Sequence, residues 1–339
     1  MRTNLKRVAE HLGISVSTVS RVVNGKDRVS PETRAAVLAA LESLNYQPNE
    51  IARSLKAQTS KAIGIIVPDI TNTFFASVIK GVESTTRKNN YSAVICNSDG
   101  DAKREEEYLK LLLKKQITAL VIATVSEDVS IFKTYKDFGI PVVFIDNLPK
   151  MKTKFDFVTI DNVEASYRLT KHIISLGHKS IAAISGPVSE STGSERLQGF
   201  KKAMQESGLE IKPEYFRQGS FQLETGYGIA KKMFQQQESP TALFVANNMQ
   251  AYGALHALRE CGLRVPEDVA LVCFDAVDKT GLMVPEMTTM VQPAEKIGEL
   301  AGEIISRKLS KTDLQIYENI ILEAELKIGD SCGCKTNQR

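Results

Sequence analysis

Three short amphipathic patterns open the chain. Leu5, Val8, Ala9 and Leu12 recur at i, i+3, i+4 and i+7, one apolar face of a helix. Gly13 follows, where a helix stops and the chain can turn with positive φ. Ser15 is a good N-cap for a second helix, whose buried side is Val19, Val22 and Val23. Val16, Ser17, Ser20 and Arg21 point elsewhere, and Ser17 and Arg21, four apart, share a face. Asn24-Gly25 ends this helix. Ser30-Pro31 reads as the N-cap and first position of a third helix, running through Val37, Leu38, Leu41 and Leu44. A helix, a tight turn and a helix with a small, polar, basic outer face have the form of a DNA-reading helix-turn-helix. A three-helix domain that binds nothing carries the same apolar pattern.

Beyond Lys61 the pattern changes. AIGIIV (62–67), YSAVIC (91–96), ALVIA (119–123), PVVFID (141–146), SIAAIS (180–185), TALFVAN (241–247) and VALVCFD (269–275) are continuous apolar runs that read as buried strands. Helical stretches such as FFASVIKGVESTTRKNN and REEEYLKLLLKKQ separate most of them. Alternating strands and helices predict a parallel, doubly wound sheet with helices on both faces. About 280 residues exceed one usual domain, so two α/β lobes are expected.

Charge sharpens the division. The formal net charge is only +3, but residues 1–60 hold nine Lys/Arg against five Asp/Glu, and the remainder holds 34 against 35. The positive excess therefore sits on the small N-terminal part, which suits phosphate contact there and not elsewhere. No apolar run of about 18 residues exists, so no membrane span is expected. The N-terminus lacks a signal-peptide core, so a cytosolic protein is expected. The five cysteines, Cys96, Cys261, Cys273, Cys332 and Cys334, lie mostly inside apolar patterns and argue against a disulfide framework. Cys332 and Cys334 form a C-x-C without a nearby His cluster, a poor zinc site. A plain polar tail over 331–339 is expected, with no metal.

Open parallel sheets bind ligands just past the carboxyl ends of their strands. Asp69 and Asn72, Asp146-Asn147, Asn247-Asn248 and Asp275 end apolar runs, with Phe74 and Phe75 close to the first. Carboxylates and amides beside an aromatic suit a polyhydroxylated ligand such as a sugar. Helix N-caps and turns use the same residue types, so both readings stay open here.

The stretch VAEHLGISVSTVSRVVNGKDRVSPETRAAVLAALESLNYQPNEIARSL (Val8–Leu55) resembles the LacI/GalR family of bacterial transcription repressors. The resemblance continues through IGIIVPDITNTFF, SERLQGF, RVPEDVALVCFD and TTMVQP, and covers essentially the whole chain. It implies an N-terminal helix-turn-helix domain with a hinge helix, then two doubly wound parallel α/β lobes of periplasmic-binding-protein type. The expected boundaries are 1–47 for the DNA reader, 48–60 for hinge helix and linker, and 61–339 for the effector domain. The chain is expected to cross between lobes near 161, 290 and 320. Lobe 1 would then hold about 61–160 plus 291–319, and lobe 2 about 161–290 plus 320–330.

The resemblance also implies roles. The second helix would enter the major groove, with Val16, Ser17 and Arg21 reading bases and Thr18, Ser20 and Asn24 touching phosphate. A bidentate arginine–guanine pair contributes about 1–3 kcal/mol of discrimination. Asn49, Arg53 and Leu55 would belong to a hinge that folds on DNA, with Leu55 wedged between base steps. A symmetric dimer on a pseudo-palindrome follows. The polar C-terminus without heptads points to a dimer and not a tetramer. Asn72, Phe74 and Phe75 match the family's D-x-x-N-x-F-F segment, and Arg196 the arginine of E-R-x-x-G-F. Asn247, Asp275, Gln292 and Asp146 match its strand-end ligand positions.

Two departures concern the effector. The usual Asn-Asp pair is Asn247-Asn248, which removes a carboxylate, and Asn147 stands where arginine is frequent, which removes a cation. A sugar acid such as a keto-deoxy aldonate and a neutral sugar both remain open. A small-molecule effector is expected and no cofactor. A phosphoprotein corepressor, as in a global carbon regulator, is the less favoured alternative. A sugar-binding transport protein would lack the DNA reader. An enzyme would need more than the S-x-x-K of Ser77–Lys80, the Gly226-Tyr-Gly228 half-fingerprint and four scattered histidines.

Overall fold

The computed structural model describes residues 5–23, 29–44, 60–150, 154–236, 239–278, 280–310 and 316–334. The chain divides into two compact units, Met1–Ser60 and Lys61–Arg339.

In the first unit, α1 (Leu5–Leu12), α2 (Val16–Val23) and α3 (Pro31–Ser43) enclose Val8, Ala9, Val19, Val22, Val37 and Ala40. Gly13 takes φ +64° between α1 and α2, a left-handed turn that a side chain would strain. The Ser15 Oγ accepts from the Thr18 N–H at 3.1 Å, and the Ser30 Oγ accepts from the Thr33 N–H at 3.2 Å. Each hydroxyl thereby satisfies an amide left unpaired at a helix start. Leu38 departs from the expectation, being 54% exposed. Val37, Ala40, Leu41 and Leu44 form the stripe at i, i+3, i+4 and i+7, and Leu38 is rotated off it.

The second unit has two lobes. Lobe 1 starts with β1 (Ala62–Val67), α4 (Thr73–Thr86), β2 (Ser92–Asn97), α5 (Ala102–Lys114) and β3 (Ala119–Ile122). It continues through α6 (Ser130–Asp137), β4 (Val142–Ile145) and β5 (Asp156–Ile160). The chain then crosses. Lobe 2 holds α7 (Asn162–Ser175), β6 (Ile181–Ser185), α8 (Ser191–Glu206), β7 (Phe216–Gln218) and α9 (Leu223–Phe234). After these come β8 (Ala242–Val245), α10 (Asn248–Glu260), β9 (Ala270–Phe274) and β10 (Thr288–Val291). The chain returns to lobe 1 for α11 (Ala294–Ser310), which packs along α4, and for β11 (Asn319–Leu322). It ends in lobe 2 with β12 (Glu325–Lys327) and a short turn at Asp330–Cys332.

The two six-stranded sheets share one order, β2-β1-β3-β4-β5-β11 and β7-β6-β8-β9-β10-β12. They differ in the last strand: β11 runs parallel to β5, but β12 runs antiparallel to β10. The crossing explains it. Strand β11 ends at the cleft side of lobe 1, so the chain enters lobe 2 at the carboxyl end of its sheet and must run backwards.

Two expectations need correction. Residues 320–322, expected in lobe 2, pair with β5 of lobe 1, so the last crossing falls at 323–324; residue 291, expected in lobe 1, ends β10 of lobe 2. The start of the expected tail is core: Ser331 and Cys332 are fully buried in lobe 2. The Cys332 Sγ lies 3.3 Å from the His172 Nε2, and the Ser331 Oγ accepts from the Thr288 N–H at 2.8 Å. Strands β5, β7, β10, β11 and β12 were not evident as apolar runs, because they are short or carry Asp, Arg, Gln, Thr, Asn and Glu.

Gly226 belongs to no nucleotide loop. It sits inside α9, where a Cβ would come within 2.2 Å of the Gln250 carbonyl oxygen on α10. A hydrogen side chain is what lets the two helix backbones touch. Ser77 and Lys80 lie on α4, where the Lys80 Nζ pairs with Glu295 at 3.0 Å. Among the described residues no helix is long and apolar enough to cross a membrane.

Candidate functional site

In the first unit, Val16, Ser17 and Arg21 lie on the exposed side of α2, and Val19 and Val22 on the buried side. Thr18 is half-buried, and its hydroxyl meets the Ser15 Oγ at 2.8 Å, so it helps to seat the helix start. Ser20 is half-buried. Asn24, Asn49, Arg53 and Leu55 lie outside the described residues.

In the second unit, a cavity of about 660 Å³ lies between the lobes at the carboxyl ends of both sheets, within the size range of small-molecule sites. All eight residues expected to meet an effector line it: Asn72, Phe74, Phe75, Asp146, Arg196, Asn247, Asp275 and Gln292.

Lobe 1 contributes the start of α4. The Asn72 Oδ1 caps this helix by accepting from the Phe74 N–H at 3.0 Å. Phe74 and Phe75 meet edge to face, 5.0 Å between centroids, and are mostly buried. Asp146 follows β4 with φ +55°, a backbone state that re-aims its carboxylate at the cleft. Lobe 2 contributes Arg196 from α8. Its Nε donates to the Asn162 Oδ1 at 2.8 Å and its Nη1 to the Ala246 carbonyl at 2.8 Å. The guanidinium also lies 4.2 Å from the Phe274 ring centroid and 3.8 Å from Asp146. Asp275 accepts from the Gln292 N–H at 2.9 Å and the Gln292 Nε2 at 2.7 Å. Asn247 is committed to structure: its Oδ1 accepts from the Gln250 N–H at 2.9 Å and its Nδ2 donates to the Phe221 carbonyl at 3.0 Å.

Three residues close the cleft from lobe to lobe. Asn72 and Asn248 exchange amide hydrogen bonds at 3.0 and 2.9 Å. Asn147 of lobe 1 donates through its Nδ2 to Glu190 at 3.0 Å and accepts through its Oδ1 from the Ser191 hydroxyl at 2.8 Å and the Thr192 N–H at 3.2 Å. The two departures Asn147 and Asn248 are therefore the clasps. An amide both donates and accepts, which arginine at 147 or aspartate at 248 could not do.

Glu190 is a cavity residue that sequence reasoning missed. It immediately precedes α8, in the N-cap position, in the loop that follows β6. The available signal was an acid six positions before Arg196, with a serine-rich helix start between them. Burial, then the nearby Asp146 and Glu105 carboxylates, push its pKa up to about 8. Burial pushes Asp146 up to about 6 against the pull of Arg196, and also raises Asp275. Among the described residues no group of three or more His, Cys, Asp or Glu is placed to hold a metal.

Two lobes hinged by three crossings, with polar strand ends facing a cavity, define a ligand-closing clamp fused to a three-helix unit. Residues 60–327 match the periplasmic binding proteins and sugar binding domain of the LacI family, and residues 4–49 match the bacterial regulatory proteins of the lacI family. The chain belongs to the LacI family: it is a DNA-binding transcription repressor with an effector-binding domain, not an enzyme. It is 36% identical over 330 residues to the HTH-type transcriptional repressor PurR of Haemophilus influenzae (strain PittEE), covering 96% of this chain and 98% of that one. Among solved structures, the Lac repressor dimer bound to operator and the anti-inducer ONPF matches with TM-score 0.83 and 26% identity, over 98% of this chain and 99% of that one. A transcriptional regulator CelR–cellobiose complex matches with TM-score 0.72 and 28% identity, over 97% of this chain and 100% of that one.

Proposed function

We propose that this protein represses carbohydrate or sugar-acid catabolic genes as a homodimer on a pseudo-palindromic operator in the bacterial cytoplasm. A small-molecule effector in the interlobe cavity switches its DNA affinity, and no cofactor takes part. The carrying observation is the cavity itself, where hydrogen-bonding groups of both lobes and the Phe74–Phe75 pair converge. That lining suits a polyhydroxylated ring, and the related regulator with cellobiose binds one. The related dimer on operator supports the DNA and dimer parts. So does edge strand β2, whose Val94 and Ile95 are 40% and 43% exposed, with Ile70 beside it at 45%. Apolar groups on an unpaired edge call for a partner surface, and a second copy supplies it.

On DNA, Val16, Ser17 and Arg21 read bases, and Thr18, Ser20 and Asn24 contact phosphate. Asn49, Arg53 and Leu55 form the minor-groove hinge. Effector binding remakes the contacts between the lobes, which changes how paired lobes support the hinges and releases the operator.

A gel-shift salt series on the full chain tests the DNA part: binding should depend on sequence and weaken steeply with salt. Leu55→Ala should weaken operator binding far more than random-DNA binding; equal loss contradicts the wedge. Calorimetry against sugars, sugar acids and a purine base tests the effector part. A sugar or sugar-acid hit that also releases operator supports it. A hit by the purine alone, whose flat ring Phe74 could also cover, replaces it. Silence on all of them favours the phosphoprotein corepressor.

A further inference from the structure

We infer that the ligand of this cleft carries no net negative charge, being a neutral polyhydroxylated molecule or its amine-bearing analogue, and that the cleft rejects carboxylated and phosphorylated forms. The inference rests on the carbohydrate reading above and narrows it.

The first observation is the charge of the lining. Asp69, Asp99 and Glu224 stand at the rim, with Asp99 paired to Arg104; Asp146, Glu190 and Asp275 lie deeper, and among the described residues the lining's only cation is Arg196. That arginine is partly committed within the protein. Its Nε and Nη1 are held by Asn162 and the Ala246 carbonyl, its face covers Phe274, and its charge is shared by Asp146 and Asp275.

The opposing effect is weaker. The N-termini of α4, α8, α9 and α10 face the cavity, and each is worth about half a positive charge. Four of them offset about two of the six carboxylates. In three of them one leading amide is also occupied: Phe74 N–H by Asn72, Thr192 N–H by Asn147 and Gln250 N–H by Asn247. Burial holds a proton on Glu190 near neutral pH, which removes one negative charge and leaves the balance negative.

The second observation is independent of charge. Gln292 lines the cavity, is 5% exposed, and its Oε1 has no hydrogen-bond partner. Its Nε2 is fixed on the Asp275 carboxylate, so the amide cannot turn over without setting two acceptors against each other. A buried acceptor without a donor calls for a ligand that brings one. Hydroxyls and ammonium groups donate, so the ligand presents one of these at Gln292; a sugar acid keeps hydroxyls too, and its rejection rests on the charge of the lining.

The test is calorimetry of the full chain at pH 7.5, in two matched series. One series is galactose, galacturonate and galactosamine, and the other is glucose, glucuronate and glucosamine. In any series that binds, the neutral or amine member should bind at least about tenfold tighter than the acid, a difference of about 1.4 kcal/mol. Glu224→Gln, which removes a rim carboxylate, should narrow that gap. An acid that binds as tightly as its neutral partner overturns the charge claim and leaves the carbohydrate reading intact. Silence of every member, with folding verified by circular dichroism, overturns the carbohydrate reading, and the inference falls with it.

Discussion

The two lobes share one strand order yet fasten the start of the fifth strand by opposite means. In lobe 1, Asp156 opens β5 and is buried against the Lys308 Nζ at 3.2 Å, while its other oxygen accepts from the Glu318 N–H at 2.8 Å. Lys308 also donates to the Ile316 carbonyl. In lobe 2, Thr288 opens β10 in a neutral network. Its hydroxyl donates to the Gly329 carbonyl at 2.9 Å, and its N–H donates to Ser331, whose own hydroxyl donates to the Leu271 carbonyl at 2.6 Å. Both arrangements satisfy the amides of a chain end joining a sheet edge. Only the first depends on keeping two desolvated charges together. An ion pair is worth little net, but breaking it strands a charge.

That contrast can be broken at either end. Lys308→Met should cost about 3–5 kcal/mol in urea denaturation, because Asp156 is left buried without its cation. Adding Asp156→Asn should recover much of that loss; a single variant costing under about 1 kcal/mol would show lobe 1 to be no more charge-dependent than lobe 2. Ser331→Ala should cost less, about 1–3 kcal/mol, by leaving the Thr288 N–H unpaired. A cost equal to that of Lys308→Met would erase the distinction.

The cleft sharpens the comparison further. Glu190 is raised on folding from about 4.5 to about 8, so the folded chain holds its proton more tightly than the unfolded chain. The sign follows: Glu190 lowers stability as pH rises through this window, by at most about 1.4 kcal/mol per pH unit. Melting temperature should therefore fall between about pH 5 and 8, and Glu190→Gln should flatten the fall. An unchanged slope in the variant would mean that Glu190 is solvated. The neutral clasp carries no charge to titrate. Asn72→Ala should cost about 1–3 kcal/mol, with no dependence on pH, because it leaves the buried Asn248 amide unpaired and the Phe74 N–H uncapped. Small-angle scattering of that variant without ligand should show a wider two-lobed unit.

The helix-turn-helix was legible because its signals are local. Apolar spacing, Gly13, Ser15 and Ser30-Pro31 each act within a few residues of where they stand. The central strands of both sheets were legible for a similar reason: strands buried on both faces must be continuously apolar. The rule that parallel sheets bind at their carboxyl ends then pointed to Asp146, Asn247 and Asp275 without any coordinates.

The remaining features depend on groups far apart in the chain. Ser331 and Cys332 look like the start of a polar tail, yet they close lobe 2 beside residues more than 40 positions earlier. Strand β11 belongs to lobe 1 because β5, more than 150 residues away, offers it an edge. Glu190 enters the site only when lobe 2 folds over Asn147. Asn147 and Asn248 read in the sequence as lost charges; across the closed cleft they are donors and acceptors that meet. The sequence by itself determined which segments are helix, which are core strand and which end carries the DNA reader, since periodicity and capping are written within one element. The pairing of polar groups across the cleft was settled by distances that no spacing along the chain encodes.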